Sequence, residues 1–583
     1  MVDKPLKFTA LLHRSRWIIL ILALGALLRI VRLNLGLPLL LHEDEPIYLQ
    51  HMLPFGEGDW DPDYFKKPSF FLYSYYGVVA LAYRLSSWFH GASWNWPAFE
   101  ARFYEDPTFM ALAGRSLTLV FALVTLWTVY RLGKTLYGHI AGLLAALILA
   151  VLTTHVKLSA IVISDIPALC GIVLTAAFAL NIVRHGRWKD YLLTGAGMAM
   201  TMSYKYNVFT GAFLLSAHLA HTWRMRRSLP ALAQSLLSPR LWCAGLLAAG
   251  LFFAGSPYSL LNFERFTEHL TFEKNHMLMR NLEDHHRQVI PMASAGKILL
   301  KILPQTLGWP LYVTGWLAIL SHAWQRLRNT DRLQTLVILS FPLAFLAVVS
   351  QFQIVTTKYL LPVVVFWILE SAGLIAVLSG LVSNRLRYRQ NALVATGLTL
   401  LLSWPVLAET GHLLRSQVTP HPQVAARHWL ESHAQAPASH PDPACRILAE
   451  PESLPVVERW SSEMGKVAAC SQTRGSFTEL ADVPDADFRP NLLMTLQPRW
   501  VVARVRNRAH DLPYPQPYYD YLLAHYHLTA WFHPASGIAL CSGSVGLRPP
   551  LPRSQSLISL KNHLNRLDGD KRGDLLLIFE KSQ

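Results

Sequence analysis

Seven residues with the sequence HEDEPIY, His42 to Tyr48, place Glu43, Asp44 and Glu45 directly after the first long apolar stretch of the chain. Three adjacent carboxylates beside a membrane repel one another and gain nothing from lipid, so packing offers no reason for them. Chemistry does, because a carboxylate held there can accept the proton of a hydroxyl. A solvated acidic loop is the reading that asks for no chemistry. Cations also recur beside the apolar stretches: Arg29, Arg32, Lys66, Lys67, Lys157, Lys205 and Lys358, with Asp165 among them. A single lysine at a helix end often only reaches for the interface, so their gathering on one surface is what counts. Arg115 falls about two turns inside an apolar stretch, too deep for that reach. Cations would hold a phosphate and stabilise its charge as it leaves, while the carboxylate takes the proton of the attacking hydroxyl. If the transferred group is a sugar, direct displacement inverts its anomeric centre, whereas retention needs a second carboxylate as nucleophile.

The elements that must position these residues are membrane helices. The chain has 583 residues, 52% hydrophobic and 15% charged, with a mean hydropathy of +0.26, too apolar for a soluble protein of this size. Its formal charge of +16 and pI of about 9.6 do not point to nucleic acid, because the basic residues sit in short loops between apolar blocks. No nucleic-acid partner is expected. Placing Arg131 and Lys134, Arg184 to Lys189, Arg224 to Arg240, Arg326 to Arg332 and Arg385 to Arg389 in the cytoplasm requires a long outer loop over about 36–107. Within it the aromatic stretch Ser69 to Phe89 is read as lying along or dipping into the interface without crossing, with an ordinary twelfth span as the alternative. Eleven spans follow, at about 17–35, 108–131, 138–156, 165–183, 190–206, 208–222, 241–257, 297–321, 332–350, 358–381 and 391–408. The first is a retained helix, since no small-residue cleavage site follows it. The N-terminus is then cytoplasmic and the C-terminus outside.

The predicted fold is thus an α-helical polytopic membrane domain, residues 1–409, followed by a soluble extracytoplasmic α/β domain, 410–583. In the latter, Trp500 to Val505 and Leu575 to Phe579 read as strands. The five cysteines show no metal-ligand spacing; among Cys445, Cys470 and Cys541 one disulfide could form in an oxidising compartment. Residues 258–287, rich in Glu and His, read as a mobile polar loop covering the site, with metal binding the alternative.

These residues resemble the GT-C membrane glycosyltransferases, in particular the branch of protein O-mannosyltransferases and lipid A aminoarabinose transferases. The likeness spans roughly two thirds of the chain. It is carried by Asp44-Glu45 with Tyr48, Lys67-Pro68 followed by aromatics, Arg115, the SDIPA of Ser164 to Ala168, Lys205, and the KYLLP of Lys358 to Pro362. The resemblance implies a GT-C fold and transfer of a sugar from a polyprenyl-phosphate donor to an envelope glycan, lipid or protein, at the outer face of the plasma membrane. It makes Asp44 the catalytic base, with Glu45 its partner in the motif, and Asp165 a second-loop carboxylate that positions substrate or a metal. Lys67, Lys205, Lys358 and Tyr359 would meet the carrier phosphate, with Tyr48, Arg29 and Arg115 as further substrate-binding candidates. Two departures stand out: Pro68-Ser69 replaces the usual double proline, and Lys358-Tyr359 replaces Arg-Tyr, losing a bidentate fork. No cofactor is demanded, and a divalent metal stays open because metal dependence differs across the group. A transporter or flippase of a lipid-linked or anionic substrate is the competing class, although the spans show no repeated halves and the charges avoid the midplane.

Overall fold

The computed structural model describes residues 5–278 except 39, 41, 43 and 90–94, then 294–328, 333–385 and 391–415, and beyond these residues 426, 429–430 and 493–494 and the elements of a sheet. Glu43, Glu283 to His286, Arg332, Arg387, Arg389 and Cys445 lie outside the described residues. The chain is mostly helical and carries a C-terminal sheet, the expected fold class.

A long helix α1 (Pro5–Ile30) leads into α2 (Asp44–Gln50), α3 (Ser69–Phe89) and α4 (Trp96–Glu105). Then come α5 (Thr108–Tyr137), α6 (His139–Val151), α7 (Thr153–Leu158), α8 (Asp165–His185), α9 (Trp188–Tyr204) and α10 (Gly211–Arg226). They are followed by α11 (Leu229–Ser235), α12 (Pro239–Gly255), α13 (Tyr258–Leu261), α14 (Phe263–Met277), α15 (Ser294–Lys297), α16 (Leu303–Leu307) and α17 (Trp309–Arg328). The helical part closes with α18 (Leu333–Val349), α19 (Thr357–Arg385), α20 (Asn391–Leu402) and α21 (Trp404–Arg415). The termini obey local chemistry. Helix α8 carries Asp165 in its first turn and Arg184 and His185 in its last, each sign facing the opposite end of the helix dipole, and Gly186 at φ 61° ends it in the left-handed region. Small residues let α5 and α6 approach: a Cβ on Gly133 would stand 2.8 Å from the Gly142 Cα, and one on Gly142 would stand 2.5 Å from the Tyr130 carbonyl oxygen.

A helix lies over each of the eleven expected spans, but they are unequal. Among the described residues four are long and apolar enough to cross a membrane: Thr108–Tyr137, Asp165–His185, Leu229–Gly255 and Thr357–Asn384. The pair Ala392–Leu402 and Trp404–Arg415, bent by 66°, makes a fifth if taken as one span. The 13-residue α6 and the 17-residue α18 are shorter, reaching roughly 20–26 Å at 1.5 Å per residue against a hydrocarbon core of about 30 Å. Helix α3 is not among the spans; it buries Phe71, Leu72, Tyr75 and Val79 and leaves Trp88 and Phe89 at its end about three quarters exposed, at 73% and 75%.

Helix direction sorts the charges. At one end of the bundle Arg184 donates to the Thr135 carbonyl (3.3 Å) and to Gln334 (3.2 Å), and Arg240 donates to the Gly186 carbonyl (2.8 Å). The ends of α5 and α8 and the starts of α12 and α18 therefore meet there. The opposite end gathers the start of α8, the end of α9 and the start of α19, where Asp165, Lys205 and Lys358 stand.

The C-terminal sheet comprises β1 (Ile447–Ala449), β2 (Lys466–Cys470), β3 (Phe477–Asp482), β4 (Trp500–Val505), β5 (Tyr526–Phe532), β6 (Leu540–Cys541) and β7 (Leu575–Lys581), with α22 (Gln516–His525) before β5. Their order is β3-β2-β1-β4-β7-β5-β6. Among the described strands only β1 and β4 run parallel; the other neighbours are antiparallel. The two stretches read as strands are β4 and β7, paired from Trp500 opposite Glu580 to Val505 opposite Leu575. Cys470 and Cys541 end strands five places apart, beyond the reach of a disulfide.

Candidate active site

Helix α2 sets the two carboxylates of the acidic run to different tasks. Glu45 turns inward, fully buried, where Arg115 of α5 grips it with Nε on Oε1 at 2.8 Å and Nη2 on Oε2 at 2.6 Å. The Val162 backbone N–H adds a third bond to Oε1 at 2.9 Å. Arg115 Nη1 donates to the Leu33 and Leu35 carbonyls, tying the exit of α1 to the same point. A planar fork meeting a planar carboxylate explains why arginine serves here. Both side chains are at most 1% exposed, so the pair faces protein on every side. Arg29 is equally buried and donates to the Gly25 (2.7 Å) and Ala150 (3.0 Å) carbonyls and to Nδ1 of His155.

Asp44, one residue earlier, points the other way and meets Lys358 Nζ at 3.1 Å. Asp165 accepts a bond from Lys205 Nζ at 2.6 Å. The two ion pairs flank one ring: Lys205 Nζ lies 5.0 Å and Lys358 Nζ 5.8 Å from the centroid of Tyr359, each in the range of a cation–π contact. Lys67, at the residue before Pro68 and the start of α3, lies in the field of Asp44, Asp165 and Tyr359. Its ammonium donates to the carbonyl of its neighbour Lys66 at 3.2 Å. Three lysines thus face two carboxylates, and the positive ends of α3, α8 and α19 point to the same region. Burial opposes ionisation of Asp44, but the Lys358 and Lys67 ammonium groups outweigh it and hold the carboxyl below its usual value. Asp44 is therefore an anion at neutral pH. Such a cluster can hold an anion on its lysines and take a proton on a carboxylate that the anion has freed.

Tyr48 is buried four residues along α2, with its ring edge-on to Phe71 (4.9 Å) and to Tyr64 (6.3 Å). Burial pushes its phenol well above the usual range, so it stays protonated. Residues 258–287 are not wholly a loop: α13 and α14 occupy 258–261 and 263–277. Helix α14 packs on the stretch from Asp61 to Lys66, with Lys66 Nζ 4.1 Å from the Phe272 ring and Phe65 held by His269 and Tyr206. His42 also went unmarked as a site residue. Its Nδ1 accepts the Asp44 N–H at 3.2 Å, and burial lowers its pKa, leaving a neutral ring beside the carboxylate. The signal for His42 was its place in HEDEPIY; that for His269 was its place on a helical stripe with Asn262 and Arg265. Among the described residues no three His, Cys, Asp or Glu side chains come together as a metal would require.

Apolar helices with carboxylates and lysines gathered at one end of the bundle are the build of a polytopic membrane protein. Residues 108–242, from α5 into α12 and including Arg115, Asp165 and Lys205, match the model of the family described as dolichyl-phosphate-mannose-protein mannosyltransferase, so the resemblance read from the sequence holds there. Among solved structures, the chain is similar to the archaeal oligosaccharyltransferase AglB of Archaeoglobus fulgidus in complex with an inhibitory peptide and a dolichol-phosphate. Identity is 12% over 92% of this chain and 75% of that one, with a TM-score of 0.47. It is also similar to ArnT of Cupriavidus metallidurans bound to undecaprenyl phosphate, at 16% identity over 73% of this chain and 82% of that one, TM-score 0.42. No curated protein matches the chain.

Proposed function

We propose that this protein is a membrane glycosyltransferase that moves a sugar from a polyprenyl-phosphate donor to an acceptor hydroxyl at the extracytoplasmic face. The observation that carries the reading is the convergence of Asp44 and Asp165 with Lys205 and Lys358 around Tyr359, within the field of Lys67. The family match over 108–242 supports a phosphate-linked sugar as donor.

In this reading the carrier phosphate competes with Asp44 and Asp165 for their lysines. Once Lys358 turns to phosphate, Asp44 is released to act as base. The acceptor oxygen bonds to the anomeric carbon as the carbon–oxygen bond to phosphate breaks. The electron pair leaves with the phosphate, where the lysines stabilise it, and the hydroxyl proton passes to Asp44. One displacement inverts the anomeric centre. Asp165 holds Lys205 in place and Tyr359 supplies the platform between the lysines. Glu45 and Arg115 are positioning residues, since both are buried against each other. Residues 1–409 form the catalytic membrane domain with a cytoplasmic N-terminus, and 410–583 form an outer module that engages the acceptor: an envelope glycan, lipid or protein.

The test is turnover by purified protein in nanodiscs, given a polyprenyl-phosphate-linked sugar and an envelope extract, with free polyprenyl phosphate measured by mass spectrometry. Wild type should release it and Asp44→Asn should not, while retaining the carrier. A wild type that binds the carrier and leaves it intact would sink the transferase reading in favour of transport.

A further inference from the structure

The stretch that ends at Lys67 is splinted from outside by one face of α14. Asp61 Oδ2 accepts from Asn262 Nδ2 at 2.8 Å, Asp63 Oδ1 pairs with Arg265 Nε at 3.0 Å, and the Phe65 N–H donates to Nδ1 of His269 at 3.0 Å. Asp61, Asp63 and Phe65 of a segment that bends at Asp63 (φ 40°) thus meet Asn262, the N-cap of α14, and Arg265 and His269, four apart on the helix itself. The Phe65 carbonyl takes a second bond from the Tyr206 hydroxyl at 3.0 Å, so its peptide groups are held on both sides. The far end of α14 is tied to the approach of Lys358, through the Gln353 N–H on the Met277 carbonyl at 2.9 Å. Of the three bonds to the segment, those from Asn262 and Arg265 reach half-buried or exposed carboxylates, whereas the His269 bond is buried.

We propose that His269 is a positioning residue for the phosphate site: its neutral ring fixes Phe65, and through it the reach of Lys67, and protonation of that ring releases the segment. The proposal rests on the transferase reading for what Lys67 holds, but not for the splint itself. A protonated imidazole has no acceptor left for the Phe65 N–H, so the bond exists only in the tautomer with its hydrogen on Nε2. The groups facing the ring are Arg265 and Glu268 on α14, Asp63, Lys66 and the Tyr64 and Phe65 rings from the held segment, and His51 from the turn after α2. Burial, Arg265 and Lys66 favour the neutral ring over the opposing pull of Glu268 and Asp63. The latch is therefore shut at neutral pH and opens as acid overcomes that bias.

The test compares wild type, His269→Ala and His269→Asn in nanodiscs, at about pH 7.5 and about pH 5. Two quantities are read: amide hydrogen exchange of the peptide spanning Asp59 to Pro68, taken relative to the intrinsic rate at the same pH, and affinity for farnesyl methyl phosphate, a phosphodiester whose single charge does not change in this range. Asparagine can accept the Phe65 N–H but does not titrate. At the higher pH His269→Ala should exchange on the order of fivefold faster and bind on the order of fivefold more weakly, the scale of one lost hydrogen bond. Wild type should move the same way on acidification, and His269→Asn should not. Unchanged exchange in His269→Ala, or a wild-type pH response that survives in His269→Asn, overturns the proposal. If the exchange differences appear but wild type never consumes a polyprenyl-phosphate sugar, the splint stands and the transferase reading falls. Turnover that is insensitive to every His269 variant has the opposite meaning.

Discussion

Replacing Arg115 by methionine fills much of the same volume and removes the charge that Glu45 faces. The structure sets the scale. Glu45 would lose two bonds of 2.8 and 2.6 Å and keep only the one from Val162, in a place with 1% exposure or less. Stranding one partner of a buried ion pair costs about 3–5 kcal/mol. Arg115→Lys keeps the charge but loses the fork and at least one of the carbonyl bonds to Leu33 and Leu35, and should cost roughly half as much. The double variant Glu45→Leu with Arg115→Met removes both charges and should recover most of the loss. Stability is read by titrating detergent-solubilised protein with SDS and following the tryptophans, under one lipid-to-detergent ratio. Because Asp44 sits one residue before Glu45 on α2, the same loss should move the base, and a displacement near 1 Å lowers turnover by about 100-fold. A cost under about 1 kcal/mol for Arg115→Met, or a double variant as unstable as the single, would refute the clamp.

Lys67→Gln should weaken retention of a lipid phosphate by about tenfold or more while changing the rate of bound donor less, measured as a split between KM and kcat. The His51 ring lies 4.4 Å from that of Tyr64, tilted by 31°, and burial pulls its pKa down to about 4, below the value near 6.5 of the unfolded chain. Stability from keeping it neutral is complete above about pH 6.5 and is lost as pH falls toward about 4. The slope is at most about 1.4 kcal/mol per pH unit, reduced by the ring's partial exposure, and His51→Gln should flatten it in melting curves taken across that window. Gly142→Leu should destabilise the α5–α6 contact by roughly 2 kcal/mol or more, since its Cβ would stand 2.5 Å from a carbonyl oxygen. A stable Gly142→Leu protein would mean the two helices part easily.

The helices over the expected spans were legible because an apolar run of 16 or more residues has few other fates, and β4 and β7 because β-branched and apolar residues crowd Trp500 to Val505 and Leu575 to Phe579. The partner of Glu45 was not. Arg115 lies 70 residues away, and nothing local separates an arginine that grips a carboxylate from one that awaits a phosphate. Helix α14 was hidden for another reason: Glu264, Arg265, Glu268, Glu273 and Lys274 dominate its composition, and its stripe of Phe266, His269 and Phe272 is narrow. Opposite charges on adjoining helix ends were legible as a group, but which lysine meets which carboxylate depends on helix rotation, which apolar periodicity in a helix buried on most sides does not reveal.

The order of the sheet has a consequence for how the chain reaches its final form. Strand β7 lies between β4 and β5, and among the described strands it alone joins the four-strand portion β3-β2-β1-β4 to the β5–β6 pair. Its pairing with β4 brings residues 575–580 against 500–505. Closing so distant a contact is slow in chain-entropy terms, and until it forms both β4 and β5 present bare edges to any passing strand. Assembly of this part of the molecule is thus a late, all-at-once event, and a deletion confined to residues 575–581 should leave two sticky fragments prone to aggregation instead of a slightly smaller sheet.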